Sequence, residues 1–383
     1  MKISAKVKGI TPSLTRKLFN MAQAYNDVID LTLGDPDLSP PEEIKEAACS
    51  AIKKNLTHYS ANAGLTSVRK SVAKRVNEIW GIVSSEENVI LTVGGMEALY
   101  LSLLCMLDKR DEVIIFAPYY VNYVQMVGMC GGTPVIIDAY GKNGFEISKE
   151  QILEKITSKT VAIIINSPNN PTGDVLSEEF LKTVYETACE NDLYIISDEV
   201  YRTLTYDKKP HRSILHFPDA HKRTILIDSM SKEYSMTGWR IGYAWADAQF
   251  IREMVKVQEN IAACVSLPSQ YAMLFAYENN VENSYILDEF EKRRDFLYDR
   301  ISKIEKLKCV KPKGTFYMFI NIESTGLKSE EFAENLLDDK HIAVVPGKAY
   351  GENFDGYIRI AFTKETDILS DAADKIEEFI NEL

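Results

Sequence analysis

The chain has 383 residues, 45% of them hydrophobic and 26% charged, a composition that suits a globular protein with more than one core. Its net charge of −12 argues against nucleic acid and anionic membranes as partners, so any anionic ligand must be held by local positive groups. Six scattered cysteines (Cys49, Cys105, Cys130, Cys189, Cys264, Cys309) form no C-x-x-C pair and read as reduced thiols, not as disulfides or a zinc site.

Met1-Lys2-Ile3-Ser4-Ala5-Lys6 lacks the apolar core of a signal peptide, and no run reaches membrane-spanning length, so a cytoplasmic location is expected. The residues before about position 45 are too few for a domain and are expected to pack on another one. Apolar runs of strand length then alternate with segments of helical period. Val89–Val93, Val113–Phe116, Val161–Ile165, Tyr194–Ile196, Ile225–Ile227 and Ile241–Ala246 are continuous and rich in Val and Ile, which suits strands covered on both faces. Between them lie helix candidates. Met96–Leu107 opens directly after Gly94-Gly95, and Ser177-Glu178-Glu179 offers a capping hydroxyl followed by first-turn acids. The alternation predicts an α/β domain over 45–275, a mostly parallel sheet flanked by helices. Thereafter the pattern changes to a charged helix (Val281–Lys303), a strand (Thr315–Ile322), a helix (Ser329–Asp338), strands near Ala343–Val345 and at Tyr357–Phe362, and a C-terminal helix. Residues 1–44 and 276–383 are therefore expected to make a smaller α+β domain.

Five motifs carry chemistry. Gly94-Gly95-Met96 joins a strand to a helix, where exposed backbone N–H groups bind phosphate well; many such turns bind nothing. The usual nucleotide motifs, G-x-G-x-x-G and G-x-x-x-x-G-K-[ST], are absent. Ser167-Pro168-Asn169-Asn170-Pro171-Thr172-Gly173 is a turn by composition, and an asparagine amide there lies where open α/β sheets bind ligands. Ser197-Asp198-Glu199-Val200-Tyr201 ends a buried run at the same edge. Asp198 reads either as a helix cap or as the partner of a buried cationic ligand atom. Ser229-Met230-Ser231-Lys232-Glu233-Tyr234-Ser235-Met236-Thr237-Gly238-Trp239-Arg240 places a lysine among hydroxyls with an arginine eight positions on. A lysine amine forms a Schiff base with an aldehyde, and hydroxyls with an arginine hold a phosphate. That combination suits pyridoxal phosphate, although a single lysine is more often a solvated surface residue. Finally, Tyr357-Ile358-Arg359-Ile360-Ala361-Phe362 sets one arginine in an apolar strand, either as a salt bridge or as a clamp on a substrate carboxylate.

Taken in this order, from Leu31-Thr32-Leu33-Gly34-Asp35-Pro36 to Arg359, the motifs resemble those of the class I/II aminotransferases of the fold-type I pyridoxal-phosphate enzymes, aspartate/aromatic aminotransferase-like. The resemblance implies that Lys232 is the Schiff-base lysine and general base, and that Asp198 pairs with the pyridine nitrogen. It places Asn170 and Tyr201 on the ring's phenolic oxygen and stacks Tyr120 on the ring. Ser229, Ser231 and Arg240, with the N–H groups at Gly95 and Met96, would cradle the phosphate. Arg359, helped by the backbone at Gly34 and by Asn170, would bind the substrate α-carboxylate. Tyr59, in His58-Tyr59-Ser60-x-x-x-Gly64, matches a tyrosine that reaches the neighbouring subunit's phosphate, which implies a homodimer with shared sites.

The implied reaction passes an amino group between an L-amino acid and a 2-oxo acid by a ping-pong route, with aspartate or aromatic donors and 2-oxoglutarate. The residues themselves leave the side chain open. Leu38 and Tyr350 stand where the family often has Phe, and no residue is identifiable as the second cation a dicarboxylate needs. Tyr350, Tyr120 and Leu38 offer an apolar pocket for an aromatic side chain. A β-lyase acting on cystathionine-like substrates shares the scaffold. A regulatory module that keeps the fold usually carries an N-terminal DNA-binding domain, which the early start of the pattern and the acidic charge disfavour.

Overall fold

Continuous runs of β-branched residues build the centre of the molecule. The structure, a computed structural model, describes residues 2–8, 10, 14–25, 27–141 and 144–383; positions 1, 9, 11–13 and 26 of the N-terminal segment assigned above lie outside that description. Seven strands form one sheet: Val89–Thr92 (β1), Glu112–Ala117 (β2), Thr133–Asp138 (β3), Thr160–Asn166 (β4), Tyr194–Asp198 (β5), Thr224–Ser229 (β6) and Gly242–Trp245 (β7). Their order is β1-β7-β6-β5-β4-β2-β3. All neighbours run parallel except β7, which is antiparallel to both β1 and β6. Ile163, Ile195 and Ile225 are buried at its centre, each contributing about 1.5–3 kcal/mol relative to exposure.

β3 is missing from the sequence reading. Its apolar stretch is only Val135-Ile136-Ile137, preceded by Pro134, which cannot donate to a ladder. The strand accordingly sits at the sheet edge, pairing only with β2. Helices cover the sheet. Ser177 caps Glu178–Glu190 by accepting a hydrogen bond from the Phe180 N–H at 3.0 Å.

A second, antiparallel sheet is made of Lys308–Cys309 (β8), Tyr317–Asn321 (β9), Val345–Pro346 (β10) and Tyr357–Ala361 (β11), in the order β8-β9-β11-β10. The strand expected near Ala343–Val345 is split in two. Ile342–Ala343 pairs in parallel with Ile29–Asp30, whereas Val345–Pro346 turns to pair with β11. Leu18, Ala22 and Leu31 share the apolar core of this sheet with Phe290, Phe332 and Ile376. The early chain thus buries its apolar face on late elements.

Candidate active site

Four parallel strands, β1, β4, β5 and β6, end at one edge of the large sheet, the edge where such sheets bind ligands. β1 leads through Val93 into the helix Gly94–Met106. β4 leads into the Asn169–Asn170 loop, β5 ends on Asp198, and β6 ends on Ser229. Ser229 caps the one-turn helix Met230–Glu233, which carries Lys232. Arg359 arrives from β11 of the small sheet. A cavity of ≈ 450 Å³ lies between them, lined by every residue to which the resemblance gives a cofactor or α-carboxylate role except Tyr59. Tyr59 is 88% exposed and stands away from its own chain's cavity. Leu38 packs on the small-sheet core and does not line it, whereas Tyr120 and Tyr350 do.

At one end of the cavity is a cradle for an anion. Arg240, in the left-handed region at φ 53°, donates to the carbonyls of Thr237 (2.8 Å) and Val93 (3.2 Å). Its guanidinium thus lies against the first turn of Gly94–Met106; a Cβ at Gly94 would meet Arg240 Nη2 at 2.6 Å. Ser229 Oγ accepts from the Ser231 N–H at 3.3 Å, and both serines are buried. Gly95 and Met96 line this same end of the helix.

In the middle, Lys232 Nζ donates to the Gly34 carbonyl at 2.6 Å. Burial pushes its pKa down to about 8, with Arg240 and Arg359 adding to the effect and Asp35 opposing it. Roughly a tenth of such an amine is neutral at pH 7, against about one in three thousand at its ordinary value. Gly34 is required by close approach: a Cβ there would sit 1.7 Å from Tyr317 Oη.

Two buried charges complete the picture. Asp198 is 9% exposed. Its Oδ2 accepts from Tyr123 Oη at 2.6 Å and its Oδ1 from the Val200 N–H at 3.3 Å. Burial raises its pKa to about 6; the two hydrogen bonds oppose the rise, and Asp228 and Glu199 add to it. Arg359 is 4% exposed. Its guanidinium lies over the rings of Tyr317 (4.3 Å) and Tyr350 (5.3 Å) and donates to Asn170 Oδ1 at 3.1 Å and to the Thr32 carbonyl. Arg359 Nε is buried with no partner. Among the described residues neither Asp198 nor Arg359 makes an ion pair, so the salt-bridge reading of Arg359 does not hold.

The matching family model, aminotransferase class I and II, covers residues 26–376. The chain belongs to this family. It is an aminotransferase, and members of its class use pyridoxal phosphate. It is 37% identical to aromatic-amino-acid aminotransferase 2 of Thermococcus litoralis, over 100% of this chain and 99% of that one. The aspartate aminotransferase of Pyrococcus abyssi is also 37% identical, with the same coverage. The crystal structure of aspartate aminotransferase from Thermotoga maritima superposes with a TM-score of 0.94 at 36% identity, over 99% of this chain and 100% of that one.

The aminotransferase's donor set fits the cofactor of its class. An anion cradle at one end suits a phosphate, and an amine of lowered pKa suits an aldehyde. A buried carboxylate without a counter-cation suits a protonated ring nitrogen. Two site residues escaped the sequence reading. Tyr123 holds Asp198, and Tyr317 Oη lies 3.1 Å from Tyr201 Oη while its ring underlies Arg359. Tyr123 follows Tyr120 by three residues across the turn that opens the helix Asn122–Met129, close enough to share a site. Tyr317 meets its partners only through the small sheet, and nothing local marks it.

Proposed function

We propose that this aminotransferase holds pyridoxal phosphate at Lys232 and moves an amino group between an L-amino acid and a 2-oxo acid in two half-reactions. The observation that carries this reading is the pair of buried, opposite, unpaired charges in one cavity: Asp198 awaits a cation and Arg359 an anion. Leaving either uncompensated costs several kcal/mol, so each fits a ligand group that supplies the missing charge. When bound, the cofactor supplies an aldehyde that carries the amino group and a ring that withdraws electrons from the substrate's α-carbon.

The residues then divide the work. Arg240, Ser229, Ser231 and the N–H groups of Gly95 and Met96 hold the phosphate. Tyr120 covers the ring, Asp198 keeps the proton on the ring nitrogen, and Asn170 and Tyr201 hold the phenolic oxygen. Arg359 takes the α-carboxylate beside Asn170 and the Gly34 backbone, which fixes the direction of the Cα–H bond. Lys232 Nζ would carry the proton from the donor's α-carbon to the cofactor's aldehyde carbon in one half-reaction, and from that carbon to the acceptor's α-carbon in the other.

Relatives named for aspartate and for aromatic amino acids support those two donors with 2-oxoglutarate. In the same reading residues 45–275 bind the cofactor, and residues 1–44 with 276–383 form the domain that brings Arg359. The exposure of Tyr59 supports a homodimer in which Tyr59 reaches the partner's phosphate. Six free cysteines suit the cytoplasm. A panel of amino donors against 2-oxoglutarate tests the function: formation of glutamate is expected with aspartate or the aromatic donors, and pyruvate release without an acceptor would point to a lyase instead. For the dimer, Tyr59→Phe is expected to weaken cofactor binding by about 0.5–1.5 kcal/mol without changing the amine's reactivity.

A further inference from the structure

Tyr123 lies in the helix Asn122–Met129, 2% exposed, with its ring edge-on to Tyr120 at 5.5 Å and 83°. Its hydroxyl gives Asp198 the shortest contact that carboxylate has, 2.6 Å to Oδ2. The remaining oxygen, Oδ1, receives only the Val200 N–H at 3.3 Å and so keeps capacity for a further donor. The Asp198 carbonyl is occupied separately, by Asn166 Nδ2 at 3.0 Å.

We propose that Tyr123 is the positioning residue that keeps the Asp198–pyridine proton on the ring nitrogen, by holding Asp198 as an oriented carboxylate. This rests on the reading above, in which Asp198 faces the ring nitrogen. Two states share one proton between Asp198 and the ring. A donor on Oδ2 stabilises the anionic carboxylate and so favours the state with the proton on nitrogen, the electron-withdrawing one. Among the described residues the other hydrogen bond that favours this state, from the Val200 N–H, is longer at 3.3 Å. The charges acting on Asp198, Asp228 on the adjacent strand and Glu199 next in the chain, are of its own sign and favour the protonated acid. Arg202, the arginine beside Asp228, is already committed to Asp228 and Glu233. Tyr123 can serve at any working pH, because burial and Asp198 push its own pKa well above the ordinary value and it stays a donor.

The test loads wild type, Tyr123→Phe and Asp198→Asn with cofactor labelled with nitrogen-15 in the ring, and reads the ring nitrogen's chemical shift. Wild type is expected at the protonated position, Asp198→Asn at the unprotonated one, and Tyr123→Phe displaced toward the latter. Tyr123→Phe coinciding with wild type would overturn the proposal. Asp198→Asn coinciding with wild type would instead sink the pairing of Asp198 with the ring, and the role of Tyr123 with it. Phe keeps the ring packing, so a merely structural defect would lower cofactor retention without moving the shift. If Tyr123→Phe retains no cofactor, its apoprotein still decides the matter. The pH window over which Asp198 affects unfolding is expected to move upward by about one unit, and an unmoved window contradicts the proposal.

Discussion

Two groups of buried charges lie on either side of Lys232, and they differ in kind. Behind it, Arg202 donates to Asp228 at 2.6 Å and to Glu233 at 3.0 Å, and Arg75 also reaches Glu233. Tyr243 and Tyr277 add hydrogen bonds to Asp228 (3.0 Å) and Glu233 (3.2 Å). Each charge there meets its opposite. Although burial pushes the Glu233 carboxyl up, Arg202 and Arg75 outweigh it and hold the group below its usual range. In front, Asp198 and Arg359 are also buried, yet among the described residues neither makes an ion pair. The contrast separates charges that hold the fold from charges kept for ligands. The paired set also ties the Tyr201-Arg202 turn to the Ser229–Glu233 segment, so it fixes where the unpaired set sits.

Substitutions on the two sides are expected to have opposite signatures. The largest effect is that of Lys232→Ala. The rate of amino transfer should fall on the order of 10⁵-fold or more, and borohydride reduction of the loaded wild type should leave its label on Lys232. Recovery of the label on another lysine would displace Lys232 from its role. Next is Arg202→Met, which strands Asp228 and weakens the hold on Glu233. The apoprotein should lose about 3–5 kcal/mol of unfolding free energy in a denaturant titration, and a loss within error of zero would blur the distinction drawn here. Smallest is Arg359→Leu. It should leave cofactor retention intact and apoprotein stability unchanged or raised, because a buried charge without an ion-pair partner is removed. It should lower kcat/KM for every donor and every 2-oxo acid by ~1.5–3 kcal/mol, about 10–150-fold. A loss confined to acidic substrates would make Arg359 a side-chain residue, and unfolding would restore the salt-bridge reading.

The sequence shows this division unevenly. Central strands such as β4, with Ile163-Ile164-Ile165, are legible because burial on both faces demands a continuous β-branched run. The edge strand β3 is not, because its ends are exposed and Pro134 leaves only three apolar residues as a signal. Asp198, Lys232 and Arg359 stand out because polar groups at the ends of or within apolar runs need a reason. What stays hidden is pairing. Arg75 and Glu233 are 158 positions apart, and Arg359 and Asn170 are 189 apart, so only the folded chain shows which charges have partners. Tyr317 is hidden for the same reason.

The central claim, that Asp198 is buried without a counter-charge, has a direct thermodynamic test. Its pKa is raised from 3.8 to about 6, so between those values the folded apoprotein binds more protons than the unfolded chain. The contribution of Asp198 to stability must therefore fall as pH rises through that window, by up to about 3 kcal/mol, and Asp198→Asn must lack this contribution. The measurement is the unfolding free energy of both apoproteins across the same pH range. The difference, Asp198→Asn minus wild type, is predicted to increase by about 2–3 kcal/mol between about pH 4 and pH 7. A flat difference, or one that decreases as for a carboxylate in a salt bridge, would contradict the account.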